Sequence, residues 1–260
     1  MLRLSQASSA KLARAAGFAR SLAVYYGQPW RIRAMRRHYA GLIAPGDLVF
    51  DVGAHVGNHS RCFARLGARA IAIEPQPAFA AWLRWLFRHD PQVVVVESAL
   101  GANAGVARLH PSLRTPTVAT LSTDWMASVR MAKSFTAVRW EAPIEVPVTT
   151  LDSLIEGHGL PRFCKIDVEG FEAEILRGLS RPIPLLSFEY VPAAIDIASE
   201  AISLLAALGS YRFNATIGER RQFHWPTWQE RTTIQEWLRQ RQPDERSGDV
   251  YARLEASVTS

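Results

Sequence analysis

VFDVGAHVGNHSRCFARLGARAIAIEP, residues 49–75, predicts a strand, a glycine turn, a helix and a second strand. Its first residues are apolar and β-prone, which is typical of a strand buried on both faces, and we expect that strand to end at Asp51. Apolar residues on one face predict a helix that stops at Gly67. Residues 70–73 form the next strand, which Glu74 follows. This order of elements indicates a doubly wound, parallel α/β sheet.

The glycine turn and the acid after it predict a nucleotide-cofactor site. Gly53 and Gly57 let the backbone turn sharply and approach a ligand, because neither carries a side chain. Ligands of parallel sheets bind beyond the carboxyl ends of the strands, and Glu74 lies about 20 residues after the turn, where an acid can bind a ribose. We therefore predict Glu74 as the ribose ligand. The neighbouring residues expected at the cofactor are Asp51, His55, Asn58 and Pro75.

The turn departs from the dinucleotide fingerprint GxGxxG, because an acid precedes a GxxxG spacing between Gly53 and Gly57. An acidic residue at the start of the turn suits a cationic cofactor that carries an amino acid, such as S-adenosylmethionine (SAM). Two alternatives stay open at this point: a βαβ turn without a ligand, and a dinucleotide site with an altered motif.

Composition is that of a soluble globular protein, with 48% hydrophobic and 21% charged residues in 260. No apolar run approaches the ~18 residues of a transmembrane helix. Cys62 and Cys164 both fall on apolar faces, which is more typical of small buried side chains than of a disulfide or metal pair. We therefore expect a reducing, cytoplasmic location.

The net charge of +6 is concentrated at the N-terminus. Residues 1–46 hold eight basic and no acidic residues, which leaves 22 basic and 24 acidic residues for the remainder. A nucleic-acid partner is therefore not expected for the main domain. The eight are Arg3, Lys11, Arg14, Arg20, Arg31, Arg33, Arg36 and Arg37.

The same segment predicts an amphipathic helix with a basic polar face. Its functions could be to pack on the domain and cover the cofactor, to contact a membrane surface or another anionic partner, or to act as a transit peptide. We expect residues 1–46 to form a helical extension and residues 47–260 to form the main domain. The apolar positions are Leu12, Ala15, Ala16, Ala19, Leu22, Ala23 and Tyr26.

Further along, residues 93–96 predict a buried strand that ends near Ser98. Ser98 is a candidate contact for the adenine or the amine of a cofactor, or it is only a polar residue at the end of a strand. Residues 111–141 are rich in Ser and Thr and lack a helical repeat. A connection of this length without regular secondary structure usually has a function in a compact domain. We predict a lid on the acceptor side, with Trp125 and Trp140 as apolar contacts or as core anchors.

FCKIDVEGFEAEILRG, residues 163–178, forms a second chemical motif. Its strand delivers Asp167 and Glu169 to the carboxyl edge of the sheet, and Lys165 within it needs a partner if buried. The next strand also ends in an acid, Glu189. Three strands thus end in acidic residues at what should be one edge of the sheet.

Two motifs together resemble the FkbM family of SAM-dependent methyltransferases. They are FDVGAHVGNHS with AIEP, and VPVTTLDSLIEGHGLPRFCKIDVEGFEAEILRGL with LLSFEY. The resemblance covers about residues 25–192 and implies the Rossmann-like class I fold, a seven-stranded, mostly parallel sheet. It also implies O-methylation of a hydroxyl on a sugar, polyketide or similar small molecule. By position, Asp51, Gly53 and Gly57 match the cofactor loop and Glu74 the ribose acid. His55 stands where the family often has Asn.

Methyl transfer to an alcohol needs orientation and an acceptor for the proton. The catalytic candidates are Asp167, Glu169 and Lys165. In the alternative, Asp167 positions a substrate and Glu169 caps the following helix. Mg²⁺ could be held by Asp167, Glu169 and a lid residue, but no spacing favours it and no metal is expected. A SAM-binding or partner-recruiting protein without turnover is the other functional class, and a dinucleotide oxidoreductase is disfavoured.

Overall fold

The structure, a computed structural model, describes residues 6–218 and 221–255, with side chains from residue 12 onward. Two helices come first, α1 (Gln6–Tyr26) and α2 (Pro29–Tyr39). Arg3 and the side chain of Lys11, which the charge count includes, lie outside the described residues. Within the described part of the chain, no helix is both long enough and apolar enough to cross a bilayer.

The main sheet has seven strands in the order β3-β2-β1-β7-β8-β10-β9. Their pairing is parallel except for β10, which lies antiparallel between β8 and β9. The predicted mostly parallel seven-stranded sheet is confirmed. The strands are β1 (Leu48–Val52), β2 (Arg69–Ile73), β3 (Val93–Val96), β7 (Phe163–Ile166), β8 (Leu185–Tyr190), β9 (Tyr211–Ala215) and β10 (Gly248–Leu254).

One strand boundary and one topological feature matter for the site. β1 continues through Val52, so the predicted end at Asp51 is wrong: Asp51 is paired within the sheet to Ala72 and Lys165. The chain winds outward from β1 to β3 and then returns to the other side of β1 as β7. The edge between β1 and β7 is therefore the switch point at which open parallel sheets bind ligands.

Helices cover both faces of this sheet because alternate residues of each strand point to opposite sides. On one side Val49 packs with Tyr39, Phe63 and Leu83, and on the other Phe50 belongs to a larger cluster with the later helices. The helices after α2 are α3 (Asn58–Arg65), α4 (Pro77–Leu86), α5 (Thr123–Val129), α6 (Leu151–His158), α7 (Glu172–Arg177), α8 (Ile195–Leu208) and α9 (Arg231–Arg239).

A second, three-stranded sheet stands beside the first, which the sequence did not predict. It has the order β4-β6-β5, from β4 (Ala99–Leu100), β5 (Gly105–Leu109) and β6 (Ile144–Thr149). The segment 111–141 connects β5 to β6 and includes α5. Trp125 is buried against Phe135 and Trp140. Of the two roles considered for Trp125, the structure supports the core anchor.

The N-terminal helix packs on the domain through a different face from the one predicted. Ser21 is buried, and Phe18 contacts the rings of Phe79 and Trp82 at centroid distances of 5.4 and 5.2 Å. Gly17 lies so close to the carbonyl of Leu113 that a Cβ would be 2.0 Å from its oxygen. Small residues at 17 and 21 thus allow close approach, and the predicted apolar positions Leu12, Ala15, Ala16, Ala19 and Ala23 are exposed.

Candidate cofactor and acceptor site

A cavity of about 660 Å³ lies at the carboxyl ends of the strands, at the switch point between β1 and β7. Its volume is in the range of small-molecule sites. Most of the residues predicted from the two motifs line it together: Gly53, His55, Asn58, Glu74, Pro75, Ser98, Lys165, Asp167 and Glu169. Asp51 and Gly57 are not among the lining residues.

Glu74 is held in place at the end of β2. Its carboxylate accepts hydrogen bonds from the backbone N–H groups of His55 (2.9 Å) and Gln76 (2.8 Å). Burial raises the pKa of Glu74 to about 7, although these two hydrogen bonds oppose the shift. A carboxylate offers about four lone-pair sites, so two remain for a ligand such as a ribose diol.

Asp51 and Gly57 do not line the cavity. They support the glycine turn from the side that faces away from it. The hydroxyl of Ser60 donates a hydrogen bond to the buried Asp51 carboxylate, and burial raises the pKa of Asp51 to about 6. A Cβ on Gly57 would be 2.7 Å from Leu83 on α4. Gly57 also has a φ of +81°, so its left-handed backbone and the packing on α4 explain the glycine at position 57.

Gly53 brings the two motifs into contact. It has a φ of +83°, and a Cβ there would be 1.9 Å from the carbonyl oxygen of Asp167. The sequence predicted that this glycine lets a ligand approach. The structure shows that it lets the loop after β7 approach, so the cofactor-side and acid-side loops share one wall.

His55 contributes a neutral imidazole to the cavity. Its ring lies between Tyr25 and Phe79, at centroid distances of 5.8 and 4.4 Å. Burial lowers the pKa of His55 to about 4. Its Nε2 atom is buried and has no hydrogen-bond partner.

Lys165 has the partners that its buried position requires. The side chain is 2% exposed, and its Nζ lies 2.6 Å from Asp167 Oδ2 and 3.9 Å from Asp249 Oδ1. Burial by itself would lower the pKa of Lys165, but the two carboxylates raise it well above its usual value. Lys165 is therefore a cation at neutral pH and cannot act as the base.

Sequence reasoning missed Asp249, which lies near the start of β10. Only the insertion of β10 beside β8 brings it to the cavity. Tyr25, Arg31, Arg221 and Arg246 also line the cavity and were not predicted as site residues. No spacing in the sequence links these distant segments to the two motifs.

The acids at the ends of β7 and β8 come together as expected. Asp167, Glu169 and Glu189 each place a carboxylate oxygen within 4.8 Å of the others. Burial raises the pKa of Glu169 well above its usual value, and nearby Asp167 and Glu172 add to the shift. Oxygens at this spacing could hold a divalent cation. The third ligand would then come from β8, and not from the predicted lid.

Glu172, in the first turn of α7, holds the loop that precedes the helix. Its Oε1 accepts hydrogen bonds from the backbone N–H groups of Val168 (3.4 Å) and Gly170 (3.2 Å). Among the described residues, no N–H group of α7 donates a cap hydrogen bond to Glu169, which lines the cavity instead. Ser98 is also engaged, since its hydroxyl lies within hydrogen-bonding distance of the carbonyls of Ala99 and Pro147.

Replacing Gly170 with Ala should destabilise the acid loop. Gly170 has a φ of +88°, and a Cβ there would be 2.1 Å from Trp125. We expect Gly170→Ala to lower the free energy of unfolding by roughly 2 kcal/mol or more in urea titrations. Gly105→Ala is the matched control, because a Cβ at that position would have no atom within 4 Å. Equal stability of the two variants would contradict this account.

A mostly parallel sheet with its crevice at the switch point, an acid after β2 and carboxylates after β7 are typical of a Rossmann-like protein that binds a nucleoside cofactor. The chain belongs to the FkbM methyltransferase family: the family described as "Methyltransferase FkbM domain" matches residues 51–240. The cofactor is S-adenosyl-L-methionine. The buried Glu74 carboxylate, which lines the cavity and is held by two backbone N–H groups, fits the ribose of this cofactor.

Among proteins of known activity, the chain is 25% identical over 171 residues to the hexuronic acid methyltransferase AglP of Haloferax volcanii. The match covers 62% of this chain and 64% of the relative, so the chain spans less than two thirds of that protein's length.

Two solved structures are also similar. An O-methyltransferase from Bacillus cereus in complex with SAH has 13% identity and a TM-score of 0.47, over 98% of this chain and 93% of that one. Precorrin-6y C5,15-methyltransferase from Geobacter metallireducens has 11% identity and a TM-score of 0.44, over 85% and 86%. Likeness at this level carries no conclusion about activity.

Proposed function

We propose that the protein transfers a methyl group from SAM to a hydroxyl oxygen of a saccharide. The observation that carries this proposal is the cavity that joins Glu74, with free lone pairs, to the carboxylate group of Asp167, Glu169 and Glu189. Glu74 can accept hydrogen bonds from a ribose. The carboxylate group can accept the proton that an alcohol loses when it is methylated. Residues 47–260 would form the methyltransferase domain, with residues 111–141 as the lid on the acceptor side.

In this proposal the cofactor end of the cavity is formed by Gly53, His55, Asn58, Glu74 and Pro75. Glu74 accepts the ribose hydroxyls, and the neutral ring of His55 lies beside them. Bound SAM supplies an electrophilic methyl group on a sulfonium. The net negative charge of the lining carboxylates favours binding of that cation.

Glu169 is the residue that we assign as the general base. It takes the hydroxyl proton while the acceptor oxygen forms a bond to the methyl carbon. The carbon–sulfur bond breaks in line with the new bond, and S-adenosylhomocysteine leaves. A raised pKa makes a carboxylate a stronger base. Asp167 is less suited, because its carboxylate already accepts a hydrogen bond from the Lys165 ammonium at 2.6 Å. Asp167 and Lys165 then position the acceptor and Glu169.

A saccharide acceptor is supported by the relative that acts on hexuronic acid. The cavity also offers the chemistry that an acidic sugar requires, since Arg31, Arg221 and Arg246 line it. Guanidinium groups bind carboxylates through paired hydrogen bonds. Cys62 and Cys164 are buried and unbridged, which supports a cytoplasmic, reducing location for the reaction.

Cofactor affinity should depend on pH through Glu74. Its pKa is about 7 without ligand, and hydrogen bonds from a ribose favour the charged form and lower that pKa. Below pH 7 binding must release a proton, so we expect affinity for S-adenosylhomocysteine to fall by up to about tenfold per pH unit. Calorimetry at several pH values measures this.

The Glu74→Gln variant tests the assignment. We expect it to bind S-adenosylhomocysteine about 10 to 100 times more weakly at neutral pH and to lose the pH dependence. Glu97→Gln is the matched control, because Glu97 follows the next strand but forms a surface pair with Arg84. A pH dependence that persists in Glu74→Gln would show that another group is responsible.

The proposed function itself is tested in two stages. Calorimetry with SAM and S-adenosylhomocysteine should detect binding, and no binding of either would exclude the proposal. Mass spectrometry of glycans from cells with and without the gene should then reveal a saccharide that is lighter by one methylene group in its absence. Binding without any such difference would favour a protein of this fold without turnover.

A further inference from the structure

The surface formed by α1 and the beginning of α2 is basic and carries no acid. All basic residues between 12 and 37 are exposed: Arg14, Arg20, Arg31, Arg33, Arg36 and Arg37. Residues 1–46 contain no Asp or Glu, whereas residues 47–260 have slightly more acidic than basic residues. The positive charge of the protein is therefore concentrated on its first two helices, where no carboxylate of the same segment neutralises it.

One exposed face of α1 is also apolar. Leu12, Ala16, Ala19 and Ala23 follow the i, i+4, i+7, i+11 spacing of one helix face, and all are exposed. Leu12 is 58% exposed. Trp30, in the first turn of α2, is 67% exposed. We call this stripe, Trp30 and the exposed arginines the docking surface.

This combination fits an anionic bilayer better than it fits other partners. Arginines attract lipid phosphates, while a tryptophan and an aliphatic stripe enter the boundary between headgroups and acyl chains. A nucleic acid would use the arginines but would leave the Leu12 and alanine stripe in water. A second copy of the chain would bring two surfaces of the same charge together.

We propose that the docking surface binds the surface of an anionic phospholipid bilayer. Tyr25 and Arg31 line the cavity, so docking at the corner between α1 and α2 would bring the cavity beside the bilayer. An acceptor held at the membrane could then reach the site. This last consequence rests on the proposed function, whereas docking itself does not.

The test uses the full-length protein and sedimentation with vesicles. We expect binding to vesicles of phosphatidylcholine with phosphatidylglycerol, weaker binding as salt rises, and no binding to phosphatidylcholine alone. Each basic residue at a membrane surface contributes about a fivefold factor in partitioning. The triple variant Arg14→Glu, Arg20→Glu, Arg33→Glu should therefore bind at least about 100-fold more weakly. Trp30→Ala should weaken binding several-fold without changing its salt dependence.

Two matched variants control for charge and for apolar exposure. Arg108→Glu, Arg162→Glu, Arg239→Glu reverses three exposed arginines elsewhere, and Met131→Ala removes an exposed apolar side chain on the 111–141 segment. Both should bind vesicles like the unmodified protein. Calorimetry with S-adenosylhomocysteine separates the two proposals, because the docking variants should retain cofactor affinity.

Four results would overturn the docking proposal. The first two are equally tight binding to neutral and to anionic vesicles, and a complete lack of vesicle binding. The third is an equal loss of binding in the two arginine triple variants. The fourth is tighter binding to a single-stranded RNA than to anionic vesicles at the same salt concentration. Dimerisation that Leu12→Glu abolishes, without vesicle binding, would instead assign the stripe to a second copy of the chain.

Discussion

Glu169→Gln should reduce the rate of methyl transfer by about 10² to 10⁴, the usual contribution of a general base. Glutamine keeps the size of the side chain but cannot accept the hydroxyl proton. Because Glu169 follows β7 whereas the ribose acid Glu74 follows β2, affinity for S-adenosylhomocysteine should stay within a few-fold. Single-turnover kinetics with the acceptor that the unmodified protein methylates, together with calorimetry, measure both quantities.

The pH profile gives a second readout of the same assignment. The pKa of Glu169 is raised, and a base acts in its deprotonated form, so kcat of the unmodified protein should rise with pH until that pKa is passed. The apparent pKa belongs to the whole carboxylate group, since its members titrate together. Glu169→Gln should lose this rise.

Glu174→Gln is the matched control for this prediction, because Glu174 is a partly exposed residue that pairs with Arg177. It should have the activity of the unmodified protein. If Glu169→Gln turned over normally while Asp167→Asn did not, the base would be Asp167, and the argument from the Lys165 ion pair would be wrong.

Lys165→Met should lower the free energy of unfolding by about 3 kcal/mol at neutral pH. Removal of one partner of a buried ion pair costs about 3–5 kcal/mol, because the other charge loses its compensation. We expect the lower end of that range, since the Asp167 side chain is 37% exposed and water screens it. Urea denaturation followed by circular dichroism measures the change.

Lys133→Met provides the same substitution at a surface pair. Lys133 lies 3.2 Å from Asp244 but is 86% exposed, so its loss should cost less than about 1 kcal/mol. Equal costs for the two lysines would contradict the ion-pair account.

Much of the main sheet could be predicted from local sequence. Apolar β-prone runs predict β1, β2, β3 and β7 to within a few residues, and the glycine after α3 marks the end of that helix. Local patterns work here because strands buried on both faces must be continuously apolar. They fail for α1, where alanines look like the buried face. Close packing at Gly17 and Ser21 buries the opposite side instead.

The site residues also divide into those that local sequence predicts and those that it does not. Glu74, Asp167, Glu169 and Lys165 could be named because each lies at or within a strand whose carboxyl end faces the cavity. Asp51 and Gly57 belong to the same motif but face the supporting layers, and a motif does not specify which way its side chains point. The third acid, Glu189, was placed correctly at the same edge, although it lies within β8 and not after it.

By itself, the sequence determined the parallel sheet, the cofactor loop and the acids at the ends of its strands. These follow from periodicity and glycine placement over short stretches of chain. Only the tertiary structure decided which groups act on one another. Asp249 reaches Lys165 because β10 inserts beside β8, and Gly53 touches the Asp167 carbonyl because β1 and β7 are neighbours. Contacts between residues so far apart in the chain depend on strand order, which no local pattern encodes.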